Sequence, residues 1–245
     1  MGKDNIYARP VNKPEPFTFN ESVVRVFDDM ITRSVPHYRE LIRLQSRMVA
    51  DGYQPDTCIY DLGCSNGNLE QLICEHLDAQ AFRIVAVDSS APMIEAFSGR
   101  FRSSPWAGSI TPVCDDIRRV RLQRPSVVIV NFTLQFISID DRRTLIDKIY
   151  QALCPFGILL VSEKTVHPNP AIARMQQDFY CAFKKENGYT DLEIRQKRDA
   201  LENVLIPETE EAHLDRFRQA GFRRIDVWHK WFNFISVFCQ KEGDF

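Results

Sequence analysis

The sequence has no long apolar segment and no signal for secretion or lipid attachment. Its longest unbroken apolar run is the five residues Phe179–Phe183, whereas a helix that crosses a bilayer needs about 20. The N-terminus lacks the apolar stretch of a signal peptide, and Ile6 stands where N-myristoylation requires Ser or Thr. These absences predict a cytoplasmic protein without a membrane-spanning or membrane-anchored segment.

Cysteine pairs, histidine pairs and net positive charge are also missing. The seven cysteines include no Cys-x-x-Cys motif, and the five histidines form no pair at metal-ligand spacing. We therefore expect reduced core thiols and no metal site. The 31 basic residues are balanced by 33 acidic ones, so no overall positive field attracts a nucleic-acid backbone and no direct nucleic-acid binding is expected.

The chain has the length and composition of one large globular domain, since it contains 245 residues of which 44% are hydrophobic. Residues 1–19 are rich in proline and polar residues and lack periodicity, which predicts an N-terminal arm. Residues 20–245 are predicted to form a single α/β domain. Its first helix should begin at a cap on Asn20, and its second at Tyr38.

From residue 58 onward, short apolar runs alternate with amphipathic segments, a pattern typical of βαβ units and a parallel sheet. The continuous apolar runs Val127–Val130 and Ile158–Val161 predict central strands that are covered on both faces. Two alternating segments near the C-terminus, Ile225–Trp231 and Asn233–Gln240, predict a closing strand pair. The expected parallel strands are Cys58–Leu62, Arg83–Val87, Thr111–Cys114, Val127–Phe132 and Ile158–Ser162.

Residues 165–206 interrupt this alternation and predict a helical insertion that lies over the sheet. Its second helix begins at a capping box, Thr190 to Glu193, and should continue to Pro207. Arg198 shares a face of this helix with the apolar residues Ile194, Leu201 and Leu205. The spacing therefore predicts a buried guanidinium.

A buried arginine requires an anion, and its planar fork suits a carboxylate. The alternatives are an internal ion pair with Glu202 or Glu163, or a side chain whose end reaches solvent.

A glycine-containing loop, Asp61–Gly67, follows the first strand and precedes a helix. In a doubly wound sheet, backbone N–H groups at this position can approach a ligand. The second strand ends at Asp88, which is placed to accept hydrogen bonds from ribose hydroxyls. Together these features predict a nucleoside-containing cofactor, although the glycines could equally form only a tight turn and Asp88 could cap the next helix.

The amino-acid sequence of this loop resembles the first motif of class I S-adenosylmethionine (SAM)-dependent methyltransferases. The resemblance implies a Rossmann-like, mostly parallel seven-stranded sheet with an antiparallel C-terminal strand. It also implies that Gly63, Cys64 and Ser65 face the methionine part of SAM and that Asp88 holds the ribose, while Asp116 and Ile117 bracket the adenine.

Longer strings are similar to the carboxy-S-adenosyl-L-methionine (carboxy-SAM) synthases, the CmoA family, over residues 16 to 241. In this family, the carboxylate lost from prephenate is transferred to the SAM methyl carbon, and phenylpyruvate and water are released. A separate tRNA carboxymethyltransferase then uses carboxy-SAM to modify the wobble uridine. The strings are Phe27–Tyr38, Val130–Phe136, Ser162–Lys164, Glu186–Glu193, Gln196–Arg198, Leu201–Val204 and, after Trp228, Phe232–Phe234.

The resemblance implies that Arg198 binds the carboxylate that is transferred to the SAM methyl carbon, and that Tyr38 and Asn131 also contact the ligand. It further implies a homodimer, and a proton acceptor that comes from prephenate rather than from a side chain. Lys164 and Tyr189 are weaker candidates for contact with prephenate, and His37 beside Tyr38 is read as structural rather than as a base. The predicted ligand-binding residues are Tyr38, Gly63, Cys64, Ser65, Asp88, Ser89, Asp116, Ile117, Asn131 and Arg198.

The sequence departs from the family at three places near the expected nucleoside pocket. Ser89 stands where Asn is expected, Asp115 stands where Gly is usual, and Asn66 and Asn68 flank Gly67 in place of small residues. The carboxylate of Asp115 is expected to crowd the nucleoside edge. Two other functions therefore stay open: a SAM-dependent methyltransferase acting on a small carboxylic acid, and a SAM-binding module without catalysis.

Overall fold

Residues 2–77 and 81–243 are described by a computed structural model of the chain. Within them, seven strands form one sheet: β1 (Cys58–Leu62), β2 (Ile84–Asp88), β3 (Ile110–Cys114), β4 (Pro125–Asn131), β5 (Ile158–Lys164), β6 (Arg224–Trp231) and β7 (Phe234–Gln240). Their order in the sheet is β3-β2-β1-β4-β5-β7-β6. Strand β7 runs antiparallel to both of its neighbours, and the other described pairings are parallel.

The prediction of a mostly parallel sheet with an antiparallel C-terminal strand is confirmed. The predicted bounds of β1 are met at both ends, and those of the other strands differ by one or two residues. In β4 and β5 the first six residues are buried without a break, because helices cover both faces of the centre of the sheet.

Nine helices lie within the described residues: α1 (Glu21–Val24), α2 (Phe27–Ser34), α3 (Tyr38–Gly52), α4 (Asn68–Leu77), α5 (Ala91–Phe101), α6 (Ile139–Ala152), α7 (Pro170–Glu186), α8 (Asp191–Leu201) and α9 (Glu210–Ala220). One core lies between the sheet and α3, α4 and α5, and a second lies between the sheet and α6 and α9. No helix in the described parts of the chain is long and apolar enough to span a membrane.

The prediction of one continuous helix from Asn20 is wrong, because the chain breaks between α1 and α2 at Arg25 and Val26. The β-branched residues Val23, Val24 and Val26 disfavour a continuous helix here. Asn20 does act as the predicted cap, since its side-chain oxygen accepts hydrogen bonds from two backbone N–H groups of α1.

Residues 2–19 contain neither helix nor strand, yet they are packed against the domain. Asp4 and Phe17 are buried, and the backbone N–H of Phe17 donates to the carbonyl of Ala200 at 2.8 Å. Gln196 of α8 donates to the carbonyls of Tyr7 and Arg9 at 2.8 and 2.9 Å. The segment therefore joins α8 of the insertion to α2, where Asp4 accepts a hydrogen bond from Arg33 at 3.2 Å. Its separation as an arm from a single domain stays a prediction.

Candidate active site

A cavity of about 830 Å³ opens at the carboxyl ends of the parallel strands, beneath α7 and α8. Its size is in the upper part of the range of small-molecule sites, which is about 300–1,000 Å³. It brings together all ten residues predicted from the sequence: Tyr38, Gly63, Cys64, Ser65, Asp88, Ser89, Asp116, Ile117, Asn131 and Arg198.

The glycine loop after β1 has a backbone that excludes side chains. Gly63 has a φ of +104°, and a Cβ atom added there would lie 2.1 Å from the Thr133 hydroxyl oxygen. Gly67 has a φ of +89°, and a Cβ there would enter the ring of Phe101. The loop is therefore held against the chain that follows β4, with its backbone beside the cavity.

Asp88, at the end of β2, organises this loop and keeps capacity for a ligand. Its two carboxylate oxygens accept hydrogen bonds from the backbone N–H groups of Ser65 at 3.0 Å and Ser90 at 2.9 Å. A carboxylate has about four lone-pair sites, so each oxygen can accept one further hydrogen bond. Burial raises the pKa of Asp88, and hydroxyl donors from a ribose would compensate that burial.

Asp116 and Ile117 follow β3 and lie on the same wall. Ile117 is buried, whereas the Asp116 carboxylate faces the Arg118 guanidinium, with an N···O distance of 2.5 Å. Arg118 holds the pKa of Asp116 below its usual value. Asp115 points elsewhere: it pairs with Arg119 at 2.7 Å and is not part of the cavity lining. The expectation that Asp115 crowds the nucleoside edge is therefore wrong, because Arg119, four residues on, draws its carboxylate away.

The unusual asparagines of the loop have a structural partner in α2. The side-chain amides of Asn66 and Asn68 both donate to Asp28 Oδ1, at 2.7 and 2.8 Å. Arg100 of α5 completes the cluster, since it donates to Asn68 Oδ1 at 2.6 Å and to Asp28 at 3.3 Å. The cluster ties the loop to two helices that are distant in sequence.

Asp61 and Glu70 form a buried acidic pair behind the loop. No donor among the described residues serves Asp61 Oδ1 or either oxygen of Glu70. Burial raises the pKa of Asp61 to about 7, and burial together with the Asp61 charge raises that of Glu70 well above its usual value. Two adjacent carboxylates cannot both stay ionised out of water, so the pair shares a proton at neutral pH.

The chain after β4 is positioned by Glu163 of β5. Its carboxylate accepts hydrogen bonds from the backbone N–H groups of Thr133, Leu134 and Gln135, at 2.8 to 3.1 Å. Asn131 is held as well, because its side-chain amide exchanges two hydrogen bonds with that of Gln45 in α3, at 2.8 and 2.9 Å. Asn131 thus lies at the cavity with its orientation already set.

Tyr38 begins α3 and lines the cavity between α2 and the loop. Burial raises the pKa of its phenol well above the ordinary value, so the hydroxyl stays protonated and can donate a hydrogen bond at neutral pH. His37 precedes it at the surface with a φ of +57° and does not line the cavity. Its ring lies against that of His229, an arrangement that agrees with the structural interpretation of His37.

The prediction that Arg198 is buried is wrong. Its side chain is 65% exposed, and it pairs with the adjacent Asp199 at an N···O distance of 3.5 Å. The buried stripe of α8 includes the polar residues Gln196 and Lys197, because these contact residues 2–19 and α2. Arg198 consequently lies at the rim of the cavity, where its guanidinium is available to a ligand.

Lys197 takes the buried position that was expected of its neighbour. Its ammonium nitrogen lies 3.6 Å from the Asp4 carboxylate and donates to the Ser34 hydroxyl at 3.1 Å. Tyr189 belongs to the same cluster, since its hydroxyl lies 2.5 Å from Asp4 Oδ2. Tyr189 does not line the cavity, so the suggestion that it contacts a second substrate is wrong.

Sequence reasoning missed several residues that position or line the site. Gln45, Thr133, Glu163 and Lys184 lie far from the glycine loop in the chain, whereas Glu70 follows the loop by three residues. One signal was available: Glu70 is an acidic residue on the buried face of a helix that directly follows the glycine loop.

The residues present fit SAM. The glycine loop offers backbone beside the cavity, Asp88 keeps acceptor capacity for ribose hydroxyls, and Ile117 offers an apolar face to an adenine. A family model described as a methyltransferase domain matches residues 59–157. An O-methyltransferase family protein from Burkholderia thailandensis has the same fold, with a TM-score of 0.67 at 14% identity over 92% of this chain and 61% of that chain. The chain thus has the fold of the class I SAM-dependent methyltransferases.

Two curated relatives narrow the assignment within that fold class. A carboxy-S-adenosyl-L-methionine synthase from Desulforapulum autotrophicum is 50% identical over 241 residues, which is 98% of each chain. Another from Actinobacillus pleuropneumoniae is 43% identical over 98% of this chain and 100% of that one. The chain belongs to the carboxy-SAM synthase family, as the sequence resemblance predicted.

Proposed function

We propose that the protein converts SAM and prephenate into carboxy-SAM, phenylpyruvate and water. The observation that carries this proposal is a group of cations on the part of the cavity wall beneath the insertion. Lys164, Lys184 and Arg198 line that part, together with Asp199 and Glu202, while Asp61, Asp88 and the Asp116–Arg118 pair line the part around the glycine loop. A basic wall suits a substrate that carries carboxylates, and membership of the carboxy-SAM synthase family favours prephenate over a small acid that accepts a methyl group.

The chain's own residues would bind and orient the two reactants. Asp88 accepts hydrogen bonds from the ribose hydroxyls. Ile117 borders the adenine, with Ser89 and Asp116 beside it. Gly63, Cys64 and Ser65 offer backbone to the methionine part, while Tyr38 and Asn131 donate hydrogen bonds near the reacting carbon. SAM supplies the methyl carbon that receives the carboxylate. Arg198 binds that carboxylate through two parallel N–H donors, an arrangement that lysine cannot provide.

The insertion helices also exclude water from the reacting groups. Lys184 and Tyr180 of α7 are buried, although both line the cavity. Low water content strengthens every charge interaction in the site and keeps carbon dioxide and carbanionic species from reacting with solvent. The protein therefore contributes by holding the reactants close together, by removing water and by binding the carboxylates with cations, and no side chain is required as the base.

Two measurements test this function. The small molecule released on denaturing the purified protein should have the mass of carboxy-SAM, which is one carbon dioxide heavier than SAM. The SAM-loaded protein should form carboxy-SAM only when prephenate is added. Release of S-adenosylhomocysteine during turnover would support a methyltransferase instead, and ligand retention without any turnover would support a binding module.

We also propose that the product serves a separate tRNA carboxymethyltransferase in the cytoplasm. The net charge of −2 supports a supplier of small molecules that does not itself bind RNA. Free thiols support a reducing compartment; they are Cys58, Cys64, Cys114, Cys154, Cys181 and Cys239. In a filter-binding assay, the protein is expected to retain no RNA under conditions in which a basic tRNA-binding protein retains it.

A homodimer is proposed from the exposed apolar face of α7. Ile172, Met175 and Phe179 are 38%, 43% and 49% exposed, and the Phe179 ring stacks on Phe232 with centroids 4.5 Å apart. A contiguous apolar face of this kind favours burial against a second copy. Phe179→Glu should shift the mass measured by light scattering from dimer to monomer, whereas the exposed Lys185→Glu should not.

A further inference from the structure

Two lysines on the wall of the cavity flank one aromatic ring. Lys164 ends β5 and Lys184 lies on the last turn of α7, and their ammonium nitrogens are 4.6 and 4.3 Å from the centroid of the Tyr180 ring. Neither ammonium group has a hydrogen bond or an ion pair with a carboxylate of residues 2–77 or 81–243. The two charges therefore lie near each other over the same aromatic ring, with Cys181 close by and no carboxylate paired with either.

Such an arrangement is costly for the folded protein. Lys184 is 6% exposed, and burial followed by the charge of Lys164 lowers its pKa to about 7. Burial likewise lowers the pKa of Lys164 to about 8. A buried cation without an anion destabilises a fold, and the loss is expected to be offset where the charge has a function.

The other buried cations in the described chain are paired. Arg142 and Arg216 both contact the Glu208 carboxylate, and Lys197 faces Asp4. The sequence therefore supplies carboxylates where buried cations are structural. Among the described residues, it supplies none for Lys164 and Lys184, which line the cavity, and this is the arrangement expected if a ligand brings the anion.

We infer that Lys164 and Lys184 bind the carboxylate that the second substrate keeps during the reaction. This inference rests on the proposed function. Prephenate has two carboxylates: one is transferred and is assigned to Arg198, and the other remains on phenylpyruvate. The two ammonium groups can each donate hydrogen bonds to the retained carboxylate, and their shared contact with the Tyr180 ring keeps them on one part of the cavity wall.

The inference is tested by direct binding and by steady-state kinetics. Phenylpyruvate carries only the retained carboxylate, so calorimetric titration into the SAM-loaded protein measures this subsite without catalysis. Lys164→Gln and Lys184→Gln should each weaken phenylpyruvate binding about 10- to 100-fold, as expected for loss of a charged hydrogen bond. The KM for prephenate should rise by a similar factor, while the KM for SAM stays constant.

Lys185→Gln is the matched control, because Lys185 is adjacent in α7 but half-exposed and paired with Asp191 at 2.7 Å. Its phenylpyruvate affinity should equal that of the wild type. Lys184→Met provides a further readout: its thermal midpoint should be equal to or higher than that of the wild type, because an unpaired buried charge is removed. A structural lysine would instead give a lower midpoint and a higher KM for SAM.

Unchanged phenylpyruvate affinity in both glutamine variants would overturn the inference. So would a higher KM for prephenate with unchanged phenylpyruvate binding, since that result would assign the lysines to the transferred carboxylate. Failure of the proposed function is a separate outcome: the wild-type protein would then form no carboxy-SAM from SAM and prephenate, while the binding titrations would still decide whether the two lysines hold a carboxylate.

Discussion

Gly63→Ala is expected to destabilise the protein strongly, although it adds only one methyl group. The new Cβ would lie 2.1 Å from Thr133 Oγ1 and 2.8 Å from Thr133 Cγ2. Thr133 has little freedom to move, because its hydroxyl donates to the Asn131 carbonyl at 2.9 Å and its N–H donates to Glu163 at 3.1 Å. The residue must also keep a φ of +104°, which L side chains rarely adopt.

The magnitude follows from these two costs. A left-handed backbone costs an alanine about 1–2 kcal/mol, and overpacking in a tight site costs about 1–3 kcal/mol. The free energy of unfolding should therefore fall by about 2–5 kcal/mol. For a chain of this size, each kcal/mol lowers the melting temperature by about 2–4 °C, which predicts a decrease of about 4–20 °C.

Thermal and urea denaturation of three variants measure the effect. Gly99→Ala is the control, because Gly99 lies in α5 with no atom within 4 Å of an added Cβ. It should stabilise the protein by about 0.5–1 kcal/mol through lower chain entropy in the unfolded state. Combining Gly63→Ala with Thr133→Ala should recover part of the loss, since the two nearest atoms are removed. If Gly63→Ala melts like the wild type, the loop does not require close approach of its backbone to Thr133.

Three further predictions concern charged groups. Arg198→Leu should lower carboxy-SAM formation at least about tenfold without changing SAM binding or the melting temperature, because the exposed side chain contacts the ligand and not the core. Arg195→Leu, also exposed on α8, is the control, and full activity of Arg198→Leu would refute the assignment. The wild type should lose stability as pH rises from 5 to 8, because the raised pKa values of Asp61 and Glu70 mean that the folded protein holds protons that the unfolded chain releases. Glu70→Gln should lose less, so a difference in melting temperature between the two proteins that does not vary with pH would contradict the shared proton. The KM for prephenate should rise between about pH 6 and pH 9, because burial lowers the pKa of Lys184 to about 7 and that of Lys164 to about 8, so that both lose their protons in this range. Lys184→Arg should remove the lower part of this pH dependence and leave the part that is due to Lys164, and an unchanged profile in that variant would show that Lys184 does not titrate there.

Local patterns were sufficient for the parts of the molecule that depend on short stretches of chain. Strand β1 and the loop after it were predicted because an apolar run, a turn with two glycines and a helix occur in succession. Asp88 was predicted because it ends the next strand, and parallel strands end at the same edge of a sheet. The capping box at Thr190 and Glu193 was likewise visible, since both hydrogen bonds lie within four residues.

The environment of Arg198 could not be predicted in the same way. Periodicity assumes that the buried face of a helix is the apolar one. In α8 the buried face carries Gln196 and Lys197, whose partners Tyr7 and Asp4 are about 190 residues away in the chain. The helix is therefore rotated relative to the prediction, and the arginine moves to the rim of the cavity.

The order of apolar runs, glycines and acidic strand ends thus sufficed to predict the sheet and the glycine loop, because those features arise from backbone geometry and from side-chain alternation over a few residues. The family followed instead from the resemblance of longer strings. The basic wall required the folded chain: Lys164 ends a strand and was only a weaker candidate for contact with prephenate, and Lys184 lies on an insertion helix and has no signal of its own. Only tertiary packing determines which charges are buried, which are paired with distant carboxylates, and which face the cavity without a partner, because desolvation and ion pairing depend on distances in space.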